Sequence, residues 1–180
     1  PLNLLKQYTT FSETDLTHSS QELTLTRIKL YSTEKYKIFP SITLPHQVHP
    51  HLGLNEFFSP EFFVAIIPEG RVWGSSLNTS VLTSHHKLVT DLSTGCAELT
   101  LVSDELPPPL YIDGKVAFLT VQWGLNYYHW MFDVFIRFAL LINAGIDLSS
   151  IDKFVIPSTQ LPYQKETLKI LGIPSEKIIE

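Results

Sequence analysis

Cysteine and methionine are almost absent: Cys96 and Met131 are the single instances of each. One cysteine permits neither an internal disulfide nor a thiolate zinc cage. A reducing, cytoplasmic setting, at most peripheral to an inner membrane, is therefore the expectation. Proline and glycine are also sparse, 12 and 8 of 180 residues, which excludes a collagen-like chain or a low-complexity linker. With 44% hydrophobic residues the chain can bury a core, so it does not read as a disordered tail. Basic side chains are outnumbered 13 to 18 and are nowhere clustered. That speaks against a nucleic-acid binder, which needs grouped cations to displace counterions, and against an anionic membrane surface. No apolar run approaches the ~18–20 residues of a membrane-crossing helix. The most apolar stretch, Tyr127 to Ile142, is interrupted by His129, Asp133 and Arg137. The first residues contain no signal-peptide core.

At roughly 100–150 residues per domain, the length suits one full domain with an extension, or two small ones. The chain opens on Pro1, has its only methionine at Met131 and stops in the apolar run Ile178-Ile179-Glu180. We expect it to be part of a longer polypeptide. Residues 1–60 read as an N-terminal arm followed by a loop rich in proline (Pro40, Pro45, Pro50, Pro60), with one short strand at Leu23 to Ile28.

Residues 61–180 read as an α/β domain. Within 61–114, Phe62 to Ile67, Arg71 to Trp73, Ser80 to Thr83 and Lys87 to Thr90 follow one another at hairpin spacing. Ser84-His85-His86 is expected to form one of the turns. Within 115–180 the pattern becomes strand, helix, strand, helix, strand. The segments are Lys115 to Val121, Asn126 to Ala144 closed by Gly145, Lys153 to Pro157, Leu161 to Leu171 closed by Gly172, and Lys177 to Ile179. That order is the grammar of a Rossmann-like parallel sheet with flanking helices.

The first of these helices holds the informative residues. At ~100° per residue, Asn126, His129, Asp133 and Arg137 fall within roughly 80° of one another on an otherwise apolar helix. A polar stripe on a buried helix must be paired or must line a cavity, because unpaired buried polar groups are costly. The stripe begins where a helix follows a strand, the place at which open α/β sheets bind ligands. Asn126 suits an N-cap. A structural reading stands beside the functional one: an Asp133–Arg137 ion pair, a hydrogen-bonded core histidine and a plain cap.

The segment NYYHWMFDVFIR closely resembles the signature of glycosyltransferase family 61, matching it at Asn126, His129, Trp130, Asp133 and Arg137. Phe135-Ile136 stand where the family usually has Leu-Pro; the loss of that proline implies a missing kink. Val64 to Ser93 and Phe154 to Ile179 resemble the segments before and after the signature. The resemblance implies an inverting transferase that uses a nucleotide-sugar donor and a glycan acceptor, with bacterial members acting in capsule or exopolysaccharide synthesis. It implies a GT-B fold of two facing Rossmann-like domains, of which this chain would be the N-terminal one, inactive without the C-terminal donor domain. His129 and Asp133 would be the catalytic pair, either of them the base, with Asn126, Arg137 and Trp130 toward substrate. No resident cofactor is implied, and a role for a divalent metal is left open. The competing expectation is a non-catalytic carbohydrate-binding or assembly module. His46, His49 and His51 have metal-like spacing without nearby carboxylates, so no metal site is assigned. Asn78-Thr79-Ser80 fits a glycosylation sequon.

Overall fold

The computed structural model describes residues 8–9, 25–38, 56–75, 77–102 and 108–180. The fold is mixed α/β, built from small sheets that include one three-stranded parallel sheet. The strands of the described residues are numbered β1 to β11 in chain order. The parallel sheet consists of β9 (Val116–Phe118), β10 (Lys153–Val155) and β11 (Ile178–Ile179), in the order β11-β10-β9. Its register places Phe154 beside Ala117 on one side and Ile178 on the other. A backbone bond from Leu119 to the Val155 carbonyl (2.9 Å) extends the pairing past β9. The central residues Ala117 and Phe154 are buried on one face of the sheet, while their neighbours in β9 and β10 are partly or fully exposed.

A single-turn helix, α1 (Leu99–Val102), precedes β9. The helix after β9 is not regular. A short α-turn (α2, Tyr127–His129) runs into a π-helical segment (Trp130–Val134) and then into α3 (Phe135–Asn143). The amide of Phe135 bonds the Trp130 carbonyl, five residues back. A continuous α-helix was the expectation, with a straightened path where proline is missing. The structure instead widens the helix immediately before that position. Trp130, Val134 and Phe138 form its buried stripe and pack on Ala117, Leu119, Ile151, Phe154 and Ile156. The Phe138 and Phe154 rings lie 5.7 Å apart. Burying each such side chain completely stabilises the fold by about 1.5–3 kcal/mol. Gly145 (φ 75°) and Gly172 (φ 69°) end α3 and α4 (Pro162–Ile170) in the left-handed conformation that glycine adopts without a Cβ penalty.

Three of the four strands expected in the hairpin region pair with one another, whereas the first, Phe62–Ile66, does not form a hairpin with the next and belongs to a separate sheet. β6 (Arg71–Gly74), β7 (Thr79–Leu82) and β8 (Leu88–Val89) pair antiparallel, and the two-residue strand β1 (Tyr8–Thr9) lies parallel to β8. The turn between β7 and β8 contains His86 at φ 61°, whose Nδ1 is 2.9 Å from Arg71 Nη1. Val81 and Val89 pack with Phe63, Ala65, Ile67 and Phe118, which joins the hairpins to the parallel sheet. Gly74 lies so close to that sheet that a Cβ would stand 2.8 Å from Thr120 Cγ2.

One expected boundary is not respected. β2 (Thr26–Tyr31) lies within the supposed irregular arm, yet pairs antiparallel with β5 (Phe62–Ile66) across residue 60. β3 (Lys35–Lys37) pairs likewise with β4 (Glu56–Phe58). The expected strand at Leu23 to Ile28 overlaps β2, but β2 runs on to Tyr31, and its charged positions Arg27 and Lys29 gave no sign of a partner beyond residue 60. Both find Glu61, at 3.1 and 3.7 Å, and the Arg27 guanidinium lies over the Phe63 ring. Residues 39–55 of the proline-rich segment, with His46, His49 and His51, lie outside the described residues, while its end forms β4 rather than loop.

Candidate active site

The site is assembled where β9 ends. After Val121 the chain makes a turn over residues 122–125 and enters the helix at Asn126. Asn126 acts as the N-cap: it is extended (φ −81°, ψ 142°), and its Oδ1 accepts from the Tyr128 amide at 2.8 Å. The turn itself is compressed. Trp123 has φ 61°, a conformation disfavoured for a bulky side chain, and remains 51% exposed. A Cβ on Gly124 would come within 2.4 Å of Pro157 Cγ, so only glycine lets the turn press against the end of β10. The Tyr163 hydroxyl donates to the Leu125 carbonyl (3.0 Å) and ties α4 to the same turn.

His129 and Asp133 come together as expected. The His129 Nδ1 to Asp133 Oδ2 distance is 2.6 Å, and the two side chains are 32% and 44% exposed. A carboxylate on Nδ1 fixes the tautomer that carries its proton there and leaves the Nε2 lone pair outward. Among the described residues, no hydrogen bond engages Nε2. The pair is thus oriented, partly open to solvent and able to accept a proton.

Arg137 goes elsewhere. Its Nη1 donates to the Thr120 carbonyl at 3.2 Å, and among the described residues it forms no ion pair with Asp133. Burial lowers the guanidinium pKa from its ordinary value, an effect the nearby Asp133 charge partly opposes. Asp133 and Arg137 remain electrostatic neighbours, but the guanidinium gives its hydrogen bond to the Thr120 carbonyl rather than to the carboxylate. Through Nη1, Arg137 therefore ties the helix to the chain just past β9.

Trp130, named toward substrate by the resemblance but also suited to core packing, lies in the core. It has no solvent exposure, and its Nε1 donates to Thr167 Oγ1 at 2.9 Å. Its edge contact with Tyr163 (6.3 Å) belongs to the core. The exposed aromatics are its neighbours: Tyr127, Tyr128 and Phe132 are each at least 60% accessible. Sequence reasoning passed over Tyr128 and Phe132 because aromatics on an apolar helix read as core. Their signal was positional, since both flank His129 while lying off the stripe 130, 134, 138.

The remaining candidates resolve simply. His85 and His86 belong to the β7–β8 turn. In the sequon, Ser80 is fully buried and bonded to the Ala97 carbonyl and Thr100 Oγ1, and the Asn78 amide donates to the Cys96 carbonyl. Among the described residues no three His, Cys, Asp or Glu gather as a metal site, and no helix is long and apolar enough to cross a membrane. The chain matches no family model, no curated protein and no solved structure.

Proposed function

We propose that this chain forms one domain of an inverting glycosyltransferase similar to family 61. It would move a sugar from a nucleotide-sugar donor to a glycan hydroxyl in bacterial capsule or exopolysaccharide synthesis. The observation that carries this reading is the 2.6 Å His129–Asp133 contact at the carboxyl end of a parallel strand. The Asx cap and the signature spacing support it.

The polarity of the pair assigns the roles. Asp133 holds Nδ1 and stabilises the imidazolium, while His129 Nε2 takes the proton from the acceptor hydroxyl. The acceptor oxygen attacks the anomeric carbon as the bond to the donor diphosphate breaks on the opposite face. The nucleoside diphosphate departs with the bonding electrons, and the anomeric configuration inverts. Arg137 gives one donor to the Thr120 carbonyl, and in this reading most contacts to the diphosphate come from the second domain that a GT-B arrangement would place opposite.

The test uses the polypeptide containing both domains. Asp133→Asn and His129→Ala should each reduce transfer by about 10²–10⁴-fold, the usual contribution of a positioned base, with an unchanged melting curve. Near-normal rates in both variants would refute the assignment. Sugar binding without transfer is a second reading, favoured by the exposed rings of Tyr127, Tyr128 and Phe132. Binding with no turnover of any nucleotide sugar would select it.

A further inference from the structure

Two rings stand beside the catalytic candidates without a role in the core. Tyr128 is 60% exposed and Phe132 64%. Their centroids are 5.0 Å apart with planes tilted by 32°, an offset-stacked pair in which each ring covers part of the other and the remaining aromatic surface is open to solvent. That surface leads directly to the pair, because the Tyr128 ring also meets the His129 ring edge-on at 5.3 Å.

We propose that Tyr128 and Phe132 form a shelf on which a neutral pyranose ring of the acceptor stacks, delivering one of its hydroxyls to His129. The inference rests on the transferase reading above and adds the position and chemistry of the acceptor.

Three properties select this occupant. First, the aromatic faces carry partial negative charge and attract the polarised C–H bonds on one face of a pyranose. Second, the shelf is bordered by groups that hydrogen-bond hydroxyls: the Tyr128 phenol, His129 Nε2 and the Asp133 carboxylate. A helix of another protein would leave those groups without partners, which is costly when they are covered. Third, the local charge excludes the donor's diphosphate. The only guanidinium or ammonium group on residues 126–143 is Arg137, which is directed to the Thr120 carbonyl, whereas Asp133 is anionic. The one cation of this helix is offset by the Asp133 carboxylate, so a diphosphate finds little net counter-charge on it, while an uncharged sugar needs none.

The test has a binding arm and a kinetic arm. In the first, the 180-residue chain is titrated with methyl α- and β-pyranosides of glucose, galactose, mannose and N-acetylglucosamine, and with uridine diphosphate, under saturation-transfer NMR. At least one pyranoside should bind and perturb the Tyr128 and His129 signals. Tyr128→Leu, which keeps an apolar side chain but removes the ring, and Phe132→Leu should each weaken it about tenfold. Tyr128→Phe should retain most of the binding. Both rings are exposed, and thermal melts establish that the variants fold. In the second arm, Tyr128→Leu in the two-domain polypeptide should raise KM for the acceptor about tenfold, while KM for the donor stays unchanged.

Absence of pyranoside binding, equal binding by wild type and both leucine variants, or preferential binding of uridine diphosphate to the shelf would each overturn the proposal. The two readings fail separately. Transfer that persists with an unaltered acceptor KM in Tyr128→Leu removes the shelf and keeps the transferase. Ring-dependent sugar binding without any transfer keeps a sugar-binding shelf and removes the transferase.

Discussion

Replacing Trp130 by phenylalanine distinguishes a core pillar from a ligand platform. Trp130 has no solvent exposure, and its Nε1–H is satisfied by Thr167 Oγ1 at 2.9 Å. Thr167 Oγ1 in turn donates within the preceding turn of α4, toward the Tyr163 carbonyl at 2.8 Å and the Gln164 carbonyl at 3.0 Å. Trp130→Phe therefore has three costs. Losing the hydrogen bond removes about 1 kcal/mol net. Part of the indole returns to water in the reference cycle, about another 1 kcal/mol at ~0.8 kcal/mol per carbon group. A void of roughly 40 Å³ at ~24 cal/mol per Å³ adds about 1 kcal/mol more. The expected loss is about 3 kcal/mol, a fall in Tm of about 6–12 °C for a chain of this size.

Thr167→Val leaves the indole N–H buried without an acceptor and should cost about 1–3 kcal/mol. In the double variant that orphaned donor is gone, so the combined loss should fall below the sum by about 1 kcal/mol. Urea unfolding of the four proteins, followed by far-ultraviolet circular dichroism, measures the cycle. A Trp130→Phe cost below about 0.5 kcal/mol, with additive double-variant energetics, would refute the core assignment, because a surface ring loses little on truncation.

Two further outcomes rest on neighbouring geometry. Gly74→Ala inserts a Cβ 2.8 Å from Thr120 Cγ2 and should destabilise by about 1–3 kcal/mol in urea melts; an unchanged midpoint would mean that β6 and the end of β9 are not in close contact. The Asp147 carboxyl lies below its ordinary pKa because the Ser149 hydroxyl and amide both donate to it. A depressed carboxylate pKa stabilises the fold above the unfolded value, and this contribution disappears as pH falls through the folded one. Ser149→Ala should thus raise the Asp147 pKa in an NMR titration and erode stability at a higher pH, whereas an unmoved titration would rule out the hydroxyl as the main cause.

Periodicity and turn chemistry made much of the framework legible. The strands around Ala117 and Phe154 appeared as short apolar runs, Gly145 and Gly172 marked the helix ends, and His85-His86 marked a hairpin turn. The π turn was not legible, because Trp130 to Val134 contains no proline or glycine and would also suit an ordinary helix. Its five-back bond has no signal in the local sequence. At the site, the spacing from His129 to Asp133 was interpreted correctly, whereas Arg137 was offered Asp133 as a partner and gives its hydrogen bond to the Thr120 carbonyl, 17 residues away. The strand at β2 was expected, but its extent to Tyr31 and its pairing with β5 were not legible. Arg27 is only partly exposed and is accommodated by Glu61 and the Phe63 ring, so a charged position behaves as an inward one.

The widened turn at Trp130–Val134 makes the helix unequally tolerant of length change. It already holds one residue more than an α-helix would need over the same rise, and a deletion within it could be absorbed by closing to the ordinary four-back pattern. Such a shortening would regularise the hydrogen bonds while turning His129 away from Asp133, or Arg137 from Thr120. Backbone regularity and the arrangement at the sheet's edge therefore pull in opposite directions here. Selection for thermal robustness alone would tend to drift toward the shorter helix, and a lineage that keeps the longer one is retaining geometry rather than stability.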